Sequence, residues 1–247
     1  MKQVRESVLS RYQALLDERG FTADESQLKA ARRLEQMAAE LVTFKEARKH
    51  RVRRMLKPPV PPKGVWLYGG VGRGKSFLMD CFYSVLPFRR KTRIHFHEFM
   101  RGVHRELNEL RGQTDPLNTV ARRIAKRYRV ICFDEFHVSD IADAMILERL
   151  FGPLFDAGTC FVITSNYQPD GLYPEGLHRD RIMPAINRLN NELDLVRVDT
   201  GVDYRQQSLA GVQAYHFPID EASNKALRKA FESLAEAGDQ EPVLHIE

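Results

Sequence analysis

One segment, Gly69–Ser76 (GGVGRGKS), constrains the fold of this chain more than any other. It matches the pattern G-x-x-x-x-G-K-[ST] at every required position. The apolar run 65–68 precedes it and predicts a strand, and residues 77–85 follow it and predict a helix. Glycines let backbone N–H groups converge on phosphate oxygens, and the helix N-terminus adds the positive end of its dipole. The segment therefore predicts a P-loop that binds a nucleoside triphosphate.

The residues of this loop have distinct expected roles. The ammonium of Lys75 reaches the terminal phosphates, so we expect it to act in binding and in catalysis. The hydroxyl of Ser76 is expected to be a Mg²⁺ ligand. The residues expected to contact the nucleotide are Gly69, Gly70, Val71, Gly72, Arg73, Gly74, Lys75, Ser76 and Phe77.

Two adjacent acids follow a second apolar run. Residues 130–133 are apolar, and Asp134 and Glu135 come directly after them. An apolar strand that ends in Asp is the Walker B arrangement, so Asp134 is expected to hold Mg²⁺ opposite the P-loop Ser. A second carboxylate one residue on can accept a proton from an attacking water. We therefore expect Glu135 to be the general base of a hydrolytic reaction.

A third apolar run ends in the polar residues Thr164, Ser165 and Asn166. If this strand neighbours the P-loop strand, the amide of Asn166 lies beside the γ-phosphate and orients the attacking water. The alternative is a turn-forming Asn ahead of Pro169.

Two arginines further along the chain, Arg179 and Arg181, lie where ring-forming ATPases carry a finger for the nucleotide of the neighbouring subunit. Such a finger neutralises charge that develops only in the transition state. We favour Arg179, and the alternative for either residue is an ordinary surface ion pair.

The histidines do not predict another metal site. Residues 92–96 alternate polar with apolar residues and predict a strand. His95 and His97 would lie on one strand face, but they lack the H-E-x-x-H pattern and a third ligand. His137 follows the two acids and is interpreted as a structural loop residue. No metal other than Mg²⁺ is expected.

The pattern of elements predicts an α/β fold. Residues 1–64 read as a helical segment, capped at Asp24, that ends in the Pro-rich linker 58–62. Apolar strands alternate with helices over 65–205, which predicts a parallel sheet with helices on both faces and a ligand at the carboxyl ends of the strands. Residues 206–247 are expected to begin a C-terminal region that is truncated.

Within this plan the apolar periodicity predicts individual helix faces. A helix over 99–110 is expected, and Ser139 or Asp140 is expected to cap the helix that follows the acids. The apolar stripe predicted before the linker contains Leu28, Ala31, Leu34, Leu41 and Phe44. The stripe predicted for the capped helix contains Ile141, Met145, Leu150, Phe151 and Leu154.

The cysteine content and the absence of long apolar runs in the sequence indicate the cellular compartment. Three widely spaced cysteines, Cys81, Cys132 and Cys160, offer no C-x-x-C motif and fit buried thiols in a reducing compartment. No apolar run reaches the roughly 18 residues that span a bilayer, and the first residues lack a secretion signal. We expect a cytoplasmic protein, or a mitochondrial one if the source is eukaryotic and a transit segment has been removed.

Positive charge is concentrated in one segment. The chain carries a net charge of +5, and residues 45–57 contain seven Lys or Arg and one Glu. Smaller basic groups occur at 89–93 and 122–129. Such groups can follow phosphates of nucleic acid or an anionic membrane, or form a solvated helix end, and no nucleic-acid-binding motif accompanies them.

Several segments together carry a family resemblance. The P-loop, residues 95–100, residues 134–145 and residues 203–205 together resemble the ZapE-type AAA+ ATPases, bacterial cell-division ATPases with mitochondrial relatives. The resemblance covers most of the chain and implies an AAA+ fold with ATP and Mg²⁺ as ligands. It also implies a nucleotide-dependent homo-oligomer that acts on a protein partner, the division-ring protein FtsZ in bacteria. The family usually continues past the point where this chain ends.

The expected function is therefore ATP hydrolysis that remodels or regulates a protein partner. A nucleic-acid-acting AAA+ module such as a helicase loader is one alternative, supported by the basic segment 45–57. A non-hydrolysing nucleotide switch is another, opposed by Glu135 and Asn166. A guanine-specific switch is disfavoured, because Leu227 stands where an N-K-x-D motif starting at Asn224 requires Asp. A P-loop kinase would need an acceptor site that the sequence does not reveal.

Overall fold

The computed structural model describes residues 6–20, 22–49, 58–138, 140–174, 176, 179–199 and 224–225. The chain divides into two units, residues 1–201 and 202–247, and the fold below is that of the first. Residues 50–57 and 203–205 lie outside the described residues. So does the C-terminal region predicted over 206–247, apart from residues 224–225. The predicted boundaries at 64 and 205 stay predictions.

Five parallel strands form one sheet in the order β2-β3-β4-β1-β5. The strands are β1 (Gly64–Tyr68), β2 (Lys91–His95), β3 (Val130–Asp134), β4 (Cys160–Ser165) and β5 (Leu193–Arg197). The helices are α1 (Val8–Arg19), α2 (Glu25–Ala47), α3 (Lys75–Val85), α4 (Phe96–Glu109), α5 (Pro116–Arg127), α6 (Ile141–Asp156) and α7 (Met183–Glu192), with 3₁₀ turns at Pro169–Gly171 and Arg179–Arg181. This arrangement confirms the predicted α/β class.

The sheet separates two apolar cores. Because successive strand side chains point to opposite faces, Val65 and Leu67 belong to the core under α1, α2 and α3, whereas Trp66 belongs to the core under α4 to α7. In α2 the predicted residues Ala31, Leu34, Leu41 and Phe44 are buried, and Leu28 is half-buried. Helices therefore cover both faces, as expected for a parallel sheet.

The predicted helix caps are present where the structure describes them. The carboxylate of Asp24 accepts a hydrogen bond from the backbone N–H of Ser26 at 2.6 Å and so caps α2. Asp140 caps α6 by accepting from the N–H of Asp143 at 2.8 Å, and Ser139 lies outside the described residues.

Three local predictions were wrong. Helix α4 begins at Phe96 instead of Phe99. The Phe96 side chain is buried, and its ring centroid lies 4.0 Å from that of Phe136. His95 therefore ends a strand and His97 lies in a helix, so they do not share a strand face. On α6, Met145 is 43% exposed, since Ala144 and Leu147 form the buried stripe at helical spacing.

All three cysteines are buried free thiols, as predicted. Within the described part of the chain, no helix is both long enough and apolar enough to cross a membrane.

Candidate nucleotide-binding site

The P-loop connects β1 to α3 at the carboxyl edge of the sheet, as the sequence predicts. Gly69, Gly72 and Gly74 all have positive φ. A Cβ on Gly69 would lie 2.3 Å from the carbonyl oxygen of Val198, so the backbone itself excludes a larger residue there. Positive φ values of this kind let backbone N–H groups of a P-loop converge on phosphate oxygens.

Lys75 and Asn166 meet at this loop. The Lys75 ammonium donates to the carbonyl oxygens of Gly69 and Gly70, each at 2.7 Å, and to Oδ1 of Asn166 at 3.3 Å. Asn166 reaches this position because β4 pairs directly with β1, which confirms the strand neighbour relation that its expected role requires.

Ser76 and Asp134 also meet. The Ser76 hydroxyl donates to Oδ1 of Asp134 at 2.8 Å, and the same oxygen accepts from the Thr164 hydroxyl at 2.6 Å. A hydroxyl and a carboxylate oxygen are hard ligands of the kind Mg²⁺ prefers. The donor set therefore fits Mg²⁺, and Ser76 and Asp134 are the residues that would hold it.

Arg93 is a site residue that the sequence analysis missed. Its guanidinium lies 2.7 Å from Oδ2 of Asp134 and 3.0 Å from Oδ1 of Asp80. Burial by itself raises the pKa of Asp134, but hydrogen bonds from Thr164 and Ser76 and the charge of Arg93 outweigh it and lower that pKa. The Asp134 carboxylate is therefore held in its ionised form. An arginine in a half-exposed strand was the available clue, but its partner depends on the register between β2 and β3.

Glu135 has an unusual backbone. Its φ is +52°, a region that few non-glycine residues adopt, and its N–H donates to the Thr164 hydroxyl at 3.0 Å. The Glu135 side chain is 78% exposed, with Oε2 3.7 Å from Nδ1 of His95. The strained turn separates the two acids, so that Asp134 faces Ser76 while Glu135 projects into solvent beside it.

The N-terminal helices contact the P-loop directly, which the sequence analysis did not predict. The buried side chain of Gln27 in α2 donates to the carbonyl oxygen of Arg73 at 3.1 Å. The Tyr12 hydroxyl in α1 donates to the amide oxygen of Gln27 at 2.7 Å. A Cβ on Gly74 would lie 3.0 Å from the Gln27 amide nitrogen. Helix α2 therefore contacts the P-loop backbone through Gln27, and α1 positions Gln27 through Tyr12.

A second unpredicted contact lies on the other side of the loop. The Asp199 carboxylate accepts from the N–H of Gly70 at 3.3 Å and pairs with Arg197. The hydrogen bond from Arg197 and that from Gly70 lower the pKa of Asp199.

The candidate arginine fingers lie apart from this cluster. Arg179 donates to the carbonyl oxygen of Asp170 at 2.7 Å and contacts the sulfur of Met183, whereas Arg181 is exposed in the same 3₁₀ turn. The structure thus brings together Lys75, Ser76, Asp134, Glu135 and Asn166 but does not bring either arginine to them. No group of three or more His, Cys, Asp or Glu arranged to hold a metal occurs in the described residues.

Comparison with known proteins identifies the family of this chain. A family model described as AFG1-like ATPase matches residues 6–247. Cell division protein ZapE of Escherichia coli K12 is 41% identical over 237 residues, which are 92% of this chain and 63% of that protein. Lactation elevated protein 1 homolog B of Danio rerio is 43% identical over 190 residues, 72% of this chain and 38% of that protein. This chain therefore spans less than two thirds of these relatives.

The solved structures show the same fold. AMPPCP-bound DnaA from Aquifex aeolicus superposes with a TM-score of 0.50 at 13% identity, over 93% of this chain and 66% of that chain. At this identity the likeness concerns the AAA+ P-loop fold alone. The family model matches nearly the whole chain, and the E. coli relative is a ZapE protein, the family that the motifs resemble. The chain therefore belongs to the AFG1-like ATPase family.

Proposed function

We propose that this chain binds ATP with Mg²⁺, hydrolyses it, and uses the cycle to act on a protein partner. The observation that carries the proposal is the 2.8 Å contact between Ser76 and Asp134, with Lys75 bonded to Asn166 beside it. Phosphoryl transfer needs little covalent chemistry from the protein, so positioning and charge stabilisation are the main requirements.

The described side chains can meet these requirements. When ATP binds, the Lys75 ammonium releases its hydrogen bonds to the loop carbonyls and donates to the terminal phosphate oxygens. Asn166, which contacts Lys75, orients the attacking water. Glu135 accepts the proton from that water after its exposed side chain turns from His95 toward the nucleotide. Mg²⁺, when bound, supplies positive charge that offsets the charge on the phosphate oxygens.

A test of hydrolysis is Glu135→Gln, with Glu98→Gln, an exposed acid on α4, as the matched control. We expect Glu135→Gln to keep ATP bound while phosphate release falls by at least about 100-fold. The control should leave both unchanged. Undiminished turnover in Glu135→Gln would remove Glu135 from the role of base. ATP binding without any phosphate release in the unmodified chain would instead indicate a nucleotide switch.

We further propose a nucleotide-dependent homo-oligomer in which an arginine of one subunit reaches the ATP of the next. Arg181 is the better candidate, because Arg179 is already bonded to Asp170 of its own chain. The rate per subunit should rise with protein concentration. Mixing Arg181→Ala with Lys75→Ala should restore activity, because mixed interfaces pair an intact P-loop with an intact arginine. An inactive mixture would contradict the role of Arg181 in trans.

The proposed partner is a cell-division protein, and FtsZ is the specific candidate in a bacterial source. The support is that the E. coli relative is a cell division protein. Co-sedimentation with FtsZ filaments, with and without ATP, tests this proposal. We expect ATP-dependent recovery in the pellet for the unmodified chain and none for Lys75→Ala. Equal recovery of both proteins would exclude a nucleotide-dependent interaction with FtsZ.

A further inference from the structure

Basic side chains from three distant segments meet at the amino-terminal edge of the sheet, opposite the edge that carries the P-loop. Arg90 directly precedes β2 and Arg129 directly precedes β3, and the Arg129 N–H donates to the Arg90 carbonyl at 2.7 Å. Arg48, from the end of α2, and Arg129 each place an Nη1 atom 3.4 Å from the Cβ position of Gly158, just before β4. We call the five residues Lys45, Arg48, Arg89, Arg90 and Arg129 the basic row.

The charge of the basic row is not neutralised by acids of the described chain. Arg129 donates to the carbonyl oxygens of Ala157 and Gly158 at 2.8 and 3.0 Å, and Arg90 donates to that of Ala125 at 2.6 Å. These acceptors carry no formal charge. They lie at the C-terminal ends of α5 and α6, whose dipoles offset only part of the positive charge.

The neighbouring acids have other partners. Glu46 pairs with Lys49, and Glu106 pairs with Arg123 and Arg127. Across the described ranges, no member of the basic row takes part in an ion pair. Burial, followed by the charges of Arg48 and Arg90, lowers the pKa of Arg129 to about 10. The positive groups therefore repel one another, and a bound anion would relieve that repulsion.

Aromatic rings lie beside the basic row, because Phe88 directly precedes Arg89 and Tyr128 directly precedes Arg129. The Lys45 ammonium stands 5.0 Å from the centre of the Phe88 ring, and the Arg127 guanidinium stands 6.0 Å from that of Tyr128. Both rings are half-buried. Surfaces that bind single-stranded nucleic acid combine cations that follow the backbone with aromatic rings on which bases stack.

The spacing of the row also suits a chain of phosphates. Neighbouring strands lie about 4.8 Å apart, and the basic row has members at the starts of β2 and β3 and beside Gly158 just before β4, so it extends along this edge of the sheet. Most of the row is arginine, whose planar fork matches phosphate oxygens in pairs. A line of arginines beside half-buried aromatic rings favours a linear phosphodiester over a flat lipid surface.

We propose that the basic row binds the phosphate backbone of single-stranded nucleic acid, on the side of the sheet away from the ATP site. This binding is a separate activity from the proposed ATP hydrolysis and from the proposed action on a protein partner. Because the two sites lie at opposite edges, a change in the basic row should leave ATP turnover intact.

The test is fluorescence anisotropy of a labelled single strand of about 16 nucleotides, titrated with the whole chain at about 50 mM salt. The variant is Lys45→Glu with Arg89→Glu, two exposed positions of the row. Its control is Arg101→Glu with Arg105→Glu, which makes the same charge change at exposed positions of α4. Lys75→Ala tests whether the P-loop itself holds the strand.

We expect the row variant to bind the single strand roughly tenfold more weakly. The slope of the logarithm of its binding constant against the logarithm of salt concentration should become shallower by about 1.4, because two phosphate contacts are lost. The α4 control, Lys75→Ala and the ATPase rate of the row variant should stay near those of the unmodified chain. No binding at low salt, or equal weakening by the α4 control, would overturn the proposal. Binding to phosphatidylglycerol vesicles without binding to the single strand would also overturn it and assign the row to a membrane. Thermal unfolding of each variant checks that it is folded.

Discussion

The guanidinium of Arg93 lies 2.7 Å from Oδ2 of Asp134, so the carboxylate expected to hold Mg²⁺ already has a cationic partner. The same guanidinium contacts Asp80 on α3 at 3.0 Å. Strand β2, strand β3 and the helix after the P-loop are thereby joined through one side chain. The Asp134 side chain is 5% exposed, so loss of this partner should be costly.

Arg93→Ala should lower the free energy of unfolding of the nucleotide-free protein by about 1–2 kcal/mol, because the half-exposed cation compensates a buried carboxylate. Urea denaturation measures this change. In an Asp134→Asn background the same substitution should cost markedly less. Equal losses in the two backgrounds would show that Arg93 acts independently of Asp134. Arg101→Ala, an exposed change on α4, should stay within about 0.5 kcal/mol.

Thr164→Val should destabilise the protein in a pH-dependent way. The Thr164 hydroxyl bonds to Asp134 and helps to lower its pKa below the ordinary value of 3.8. A carboxyl whose pKa is lowered on folding contributes stability above its unfolded pKa, and that contribution is lost as the pH falls through the folded value. The variant should therefore lose about 1–3 kcal/mol at neutral pH and less in acid.

Denaturant unfolding of Thr164→Val at neutral pH and below pH 3.8 tests that dependence. Ser165→Ala is the matched control, because its hydroxyl donates to the neutral carbonyl of Phe136 at 2.9 Å. Its cost should not vary with pH. A pH-independent cost for Thr164→Val would contradict the assigned interaction.

Gln27→Leu should weaken ATP binding by about tenfold, or about 1.4 kcal/mol, because the P-loop loses its support from α2. Titration with a fluorescent ATP analogue measures the dissociation constant. Gln36→Leu, at an exposed position of the same helix, is the control and should have little effect. Unchanged affinity in Gln27→Leu would show that α2 packs against the loop without shaping it.

The thiols should be inert in the folded protein. Burial raises the pKa of Cys81 to about 11 and that of Cys132 and of Cys160 to about 12, from an ordinary 9.0. At pH 8 the thiolate of Cys81 should therefore be about 100-fold scarcer than in an unfolded chain, and its reaction with a disulfide reagent slower to match. A thiol that reacts at the unfolded rate under native conditions would contradict this burial.

Stability should also fall in alkaline solution. Because the thiol pKa values are raised on folding, the unfolded chain ionises first as the pH rises above 9.0, and this favours unfolding. Cys132→Ala should reduce the slope of stability against pH in that range. An unchanged slope would mean that other groups dominate the alkaline limb.

Short-range patterns predicted much of the fold and of the nucleotide site. The P-loop could be found because its phosphate-binding N–H groups belong to consecutive residues, so the motif and its chemistry share one segment. Asp134 and Asn166 could be found because Asp134 ends one buried strand and Asn166 follows another, and the carboxyl ends of parallel strands meet at one edge. The rotation of a helix about its axis is harder to predict from sequence. The helical period fits Met145 as well as Ala144, but only Ala144 is buried.

The motifs of this chain, read alone, determined that a P-loop, a Walker-type acid and a polar strand end belong to one parallel α/β sheet. Only the tertiary structure decided that Arg93 pairs with Asp134 and that the Gln27 side chain bonds to the Arg73 carbonyl. It also decided that arginines from distant segments meet at the amino-terminal edge of the sheet. These relationships depend on strand register and on how helices lie across the sheet. Those features follow from packing of the whole core, so no local spacing of residues encodes them.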